Sequence, residues 1–131
     1  MRFVCFGCLD KEAWAKLAPA EQQAMVKACM DFDEELFAMG HFADGFALKD
    51  TAAAKTLRWK GGQAVAVDGP FAETKEMLGG ILILEAKDMA EAVAIMSRHP
   101  GVRMGPFEIR PADDAFLSQH PVMRKLKEKT R

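Results

Sequence analysis

The period of apolar and polar positions changes several times along this chain, and each change marks an element. Residues 2–8 are apolar on both faces, the pattern of a central strand. A connection over 9–18 follows, in which Trp14 and Leu17 are expected to fold back onto the core. Pro19 suits the first turn of a helix, and Met25, Cys29, Phe32 and Leu36 recur at four-and-three spacing as far as Gly40. The other flank of that helix, with Asp31, Asp33, Glu34 and Glu35, reads as a solvated face. Residues 42–48 form a second strand interrupted by Gly45, and 50–54 are a loop by composition.

Two alternating runs, 55–59 and 63–67, flank Lys60-Gly61-Gly62, the strongest hairpin signal in the chain. The second run stops at Asp68-Gly69-Pro70, a turn by its chemistry: Gly reaches backbone angles other residues avoid, and Pro fixes φ. Residues 79–85 are a continuous apolar run of strand length, expected at the sheet centre. Asp88 and Glu91 have capping-box spacing ahead of a helix whose apolar face is Met89, Val93 and Met96 and which ends near His99-Pro100. Residues 104–109 complete the set as a last strand.

Strand, helix, strand, hairpin, strand, helix, strand is the order of a ferredoxin-like α+β sandwich with an inserted β-hairpin. Two helices cover one sheet face only. Since the first strand and Ile81-Leu82-Ile83-Leu84 are apolar on both faces, a partner subunit is expected on the other, which makes the protein a homodimer. Residues 112–131 read as a C-terminal extension, with one turn docked by Phe116 and Leu117 and a frayed end bearing five basic residues against one acidic in the last eight.

At 131 residues, residues 1–111 make one domain and leave no room for a second. Eighteen basic residues against 19 acidic ones leave no field to draw nucleic acid or a membrane, and the apolar N-terminal run is too short for a signal or a span. A cytoplasmic protein with no nucleic-acid or membrane partner is expected. Three cysteines argue for reduced thiols, and Cys5 and Cys8, three apart on a strand, should face opposite sides and not form a redox pair. His41, His99 and His120 are far apart and show no metal-ligand spacing, so neither metal nor other cofactor is expected.

Acid–base chemistry remains. Asp68, Glu73 and Lys75 lie in one short polar segment between two apolar strands, and a carboxylate turned toward an apolar cavity can serve as a general base. The plainer reading is that Asp68 caps its own turn. His99, following the second helix, is the other acid–base candidate.

Asp68-Gly69-Pro70-Phe71-Ala72-Glu73-Thr74-Lys75-Glu76, followed by Leu78-Gly79-Gly80, resembles the signature of the YCII-related, or DGPF, domain family. Phe3-Val4-Cys5 with Trp14, Lys55 to Trp59, and His99 to Pro111 resemble it too, so the likeness spans roughly residues 1–111. The resemblance implies a dimeric α+β barrel that holds a small organic molecule in its interior or mouth. It also implies a His–Asp pair and lyase-like chemistry, without carrying that pair onto particular positions here. The expected site has Asp68 and His99 as catalytic groups, and Trp59, Phe71, Glu73 and Lys75 as ligand-binding groups. The alternative that the resemblance supports is a non-enzymatic accessory protein, because members are often encoded beside extracytoplasmic-function sigma factors, which makes such a factor a candidate partner.

Overall fold

The computed structural model describes residues 1–129. In chain order the elements are β1 (Arg2–Asp10), α1 (Lys11–Ala15), α2 (Pro19–Ala38), β2 (Phe42–Ala47), β3 (Lys55–Lys60), β4 (Gln63–Asp68), β5 (Glu76–Glu85), α3 (Met89–Met96), β6 (Phe107–Pro111), α4 (Asp114–Gln119) and α5 (Pro121–Lys129). One sheet has the antiparallel order β2-β5-β1-β6, while β3 and β4 pair only with each other. This is the α+β, ferredoxin-like arrangement that the element order predicts.

Several boundaries differ from the sequence reading for local reasons. The connection after β1 contains a helical turn, α1, because the Asp10 carboxylate accepts the backbone N–H groups of Glu12 and Ala13. β5 begins at Glu76, since Met77 and Leu78 pair with Leu9 and Cys8 across a register shift at Gly7/Cys8. β6 begins at Phe107: Pro100–Met104 close a 3₁₀ turn instead, with Pro100 at its start and the His99 ring accepting the Gly101 N–H. The extension carries two helices, α4 capped by Asp113 and then α5, where one docked turn and a frayed end are expected; Phe116 stays 62% exposed. Thr130 and Arg131, the end of that basic tail, lie outside the described residues.

The core sits between the sheet and α2 and α3. Phe3 and Cys5 of β1, and Leu82 and Leu84 of β5, face Phe32 and Leu36 of α2 and Ala92, Ile95 and Met96 of α3. Side chains alternate across a strand, so Cys5 pairs with Leu82 and Phe3 with Leu84 on this face, leaving Val4, Phe6, Ile81 and Ile83 half-buried on the other. In α3 the inward face is not the expected Met89-Val93-Met96 stripe. Ala92 and Ile95 join Met96, and Met89 and Val93 remain 38% and 46% exposed.

Candidate functional site

Small residues open a space in the helix-covered half of the molecule. Gly7 on β1 pairs with Gly80 on β5, which pairs with Ala47 on β2, so three neighbouring strands place almost no side chain toward α2 at one level of the sheet. Gly45 does the same one step along, opposite Leu82. These glycines cannot be enlarged freely: a Cβ at Gly7 would stand 3.1 Å from the Phe107 ring, and one at Gly45 would stand 2.7 Å from the Phe42 ring. The result is a cavity of about 520 Å³, open on one side, walled by Met25, Val26, Cys29 and Met30 of α2, Trp14 of α1, and Met104 and Phe107. That volume lies in the range typical of small-molecule sites.

Among the described residues lining this apolar cavity, the ionisable groups are Asp33, His99 and three thiols. Asp33 comes from α2, one residue past the buried Phe32. His99 follows α3 and is only 8% exposed, its ring packed against Phe32 (5.2 Å between centroids) and Phe107 (5.1 Å). Its Nε2 stands 3.3 Å from Asp33 Oδ1, and its Nδ1 accepts the Gly101 N–H at 3.0 Å. An imidazole nitrogen that accepts a hydrogen bond carries no proton, so the ring proton sits on Nε2 and points at Asp33. Both ring nitrogens are thereby engaged, and Asp33, its side chain 36% exposed, meets His99 through Oδ1. Arg98 lies over the Phe32 ring, 5.7 Å from its centroid.

All three cysteines border the same cavity. The expectation that Cys5 and Cys8 face opposite sides assumes unbroken alternation, and the register shift at Gly7/Cys8 breaks it. The thiols are free. Burial pushes the Cys5 thiol up to about 11, and burial followed by the Asp33 charge raises that of Cys29. Burial, then the Glu108 and Glu76 charges, raises that of Cys8. None is poised as a thiolate.

His99 is therefore at the cavity, whereas the other residues singled out from the sequence are elsewhere. Asp68 ends β4 on the detached hairpin, its side chain 88% exposed and paired with Lys55. Trp59 and Phe71 are 78% and 79% exposed. Glu73 is an exposed loop residue, and Lys75 reaches back to Asp10 at 3.6 Å. Phe71 borders a second cleft, between the hairpin base and β5, that does not contain Asp68 or His99. Asp33, assigned by pattern to the solvated flank, is the cavity-lining carboxylate that sequence reasoning missed. At about 100° per residue it lies only about 70° from the centre of the Met25-Cys29-Phe32-Leu36 stripe, on the side of Val26 and Met30; that proximity was the available signal.

Three comparisons bear on identity. The profile of the YCII-related domain family matches residues 1–114. An uncharacterized protein of Rhizobium meliloti (strain 1021), R00369, is 30% identical over 103 residues, covering 76% of this chain and 79% of that protein. Among solved structures, the 5-chloro-2-hydroxyhydroquinone dehydrochlorinase of Burkholderia phenoliruptrix, in complex with 2,5-dihydroxybenzoquinone, superposes with a TM-score of 0.50 at 18% identity, covering 86% of this chain and 94% of its own. That likeness is one of fold. The match over nearly the whole ordered sandwich, together with the R00369 similarity, places this chain in the YCII-related domain family.

Proposed function

We propose that this chain acts as a homodimer, its two uncovered sheet faces packed together into an α+β barrel, and that each cavity binds a small organic molecule to which Asp33 serves as general base. The observation that carries this reading is the Asp33–His99 pair set in an otherwise apolar wall. Apolar surroundings strengthen a charge–dipole contact, and the carboxylate oxygen that His99 leaves free is a proton acceptor at the cavity wall. His99 is the positioning residue. Fixed by Gly101 on one side, it holds the carboxylate in one orientation on the other.

The ligand class that fits is a flat, partly polar ring, such as a hydroxylated aromatic or quinone. Apolar walls with Trp14 and Phe107 suit its faces, and one acceptor suits a hydroxyl. The fold neighbour's complex with a dihydroxybenzoquinone supports the same class. In a lyase-like reaction a substrate C–H or O–H bond breaks, its proton passes to Asp33 Oδ2, and the freed electron pair moves through the ring to expel a leaving group.

Asp33→Asn keeps the shape and removes the base. The expected result is an unchanged unfolding midpoint with proton transfer or hydroxy-aromatic binding, measured by titration calorimetry, reduced at least tenfold, whereas Asp68→Asn leaves both intact. Full function in Asp33→Asn, or its loss in Asp68→Asn, would move the chemistry from the cavity to the hairpin.

A further inference from the structure

The β3–β4 hairpin is built as a cover for something the single chain does not supply. Leu57 pairs with Ala66 and Trp59 with Ala64, so these four share one face of the ribbon, and beyond the Lys55–Asp68 pair at its base that face is apolar. Yet Leu57 is 72% and Trp59 78% exposed. A two-stranded ribbon with nothing packed on it is at best marginally stable in water, so this one needs a surface to lie on. The cavity has the matching deficiency: at its mouth Val26 and Met30 are 42% and 62% exposed.

We propose that the hairpin of one subunit lies across the cavity mouth of its partner, setting Leu57 and Trp59 over Val26 and Met30, so that each site is closed only in the dimer. The hairpin springs from the cavity end of the sheet, between the end of β2 at Ala47 and the start of β5. None of residues 55–71 lines the cavity of its own chain, and a separate cleft of about 550 Å³ lies between the hairpin base and β5. A two-fold axis answers both deficiencies at once, covering each hairpin and lidding each cavity. Leu57 and Trp59, about three-quarters exposed, offer roughly 300 Å² per hairpin. Two hairpins with matching loss on the receiving surface come to roughly 1,200 Å², the lower end for a specific interface even before any sheet pairing.

The proposal rests on the homodimer, and the test separates the two. A benzophenone amino acid placed at position 59 is photolysed in dimers mixed from isotope-labelled and unlabelled chains, and linked peptides are mapped by mass spectrometry, with sedimentation run alongside. The expected product joins position 59 to the partner peptide that holds Val26 and Met30. A sedimenting dimer whose links fall within one chain, on another surface or nowhere overturns the lid and leaves the dimer standing. A monomer overturns both.

Discussion

Two glycine-to-alanine substitutions at the cavity should change stability in opposite directions. Gly101 is wedged between the buried His99 ring and the half-buried Phe107 ring: a Cβ there would stand 3.0 Å from Phe107 Cζ and 3.1 Å from His99 Nδ1. The His99 ring has little room to withdraw, since it packs on Phe32 as well as on Phe107. Overpacking of this kind costs roughly 1–3 kcal/mol. Against it stands a gain of roughly 0.4–1 kcal/mol from a less flexible unfolded chain, available because Gly101 does not occupy the left-handed region. Gly101→Ala should therefore lose about 1–2 kcal/mol. At Gly79 the nearest atoms to a Cβ, Gly7 O and Leu9 Cβ, are 3.7 Å away, an ordinary contact, and its φ is likewise not left-handed, so Gly79→Ala should gain about 0.4–1 kcal/mol. Urea unfolding at constant slope reads both, and the imidazole nitrogen resonances of His99 report whether Nδ1 still accepts a hydrogen bond. If Gly101→Ala is as stable as the parent, or if Gly79→Ala loses as much, the steric reasoning about the His99 pocket fails.

Two further outcomes follow from the charge environment. Burial raises Cys5 from 9.0 to about 11, so the folded state holds its proton longer than the unfolded one. The resulting stability is complete below pH 9 and is lost as pH rises toward about 11; urea midpoints across that window should fall less in Cys5→Ala than in the parent, by up to about 2–3 kcal/mol, and equal slopes would refute the assignment. Asp68→Ala removes an exposed pair with Lys55 and should cost no more than about 1 kcal/mol; a larger loss on calorimetric melting would show that the turn depends on that carboxylate.

Much of the fold was legible from periodicity. Alternation marks β3 and β4, the four-and-three stripe marks α2, and the unbroken apolar run marks β5 as central, because each pattern depends only on how side chains project from a local backbone. His99 could be named as a candidate from its place after α3. Its partner could not, since 66 residues separate it from Asp33, and a helical stripe tells which way a residue points without telling what stands opposite. The cavity has the same origin. Gly7, Gly80 and Ala47 are unremarkable one by one and leave a space only once strand register sets them side by side. The stretch with the most distinctive spelling, Asp68 to Glu76, proved to lie on and beside an exposed hairpin, because polar turn chemistry is the same whether a loop borders a site or leaves the sheet altogether. Local residue order determined most of the elements and the inward faces of β1, β5 and α2; pairing between distant strands and helices decided where the space is and which carboxylate lines it.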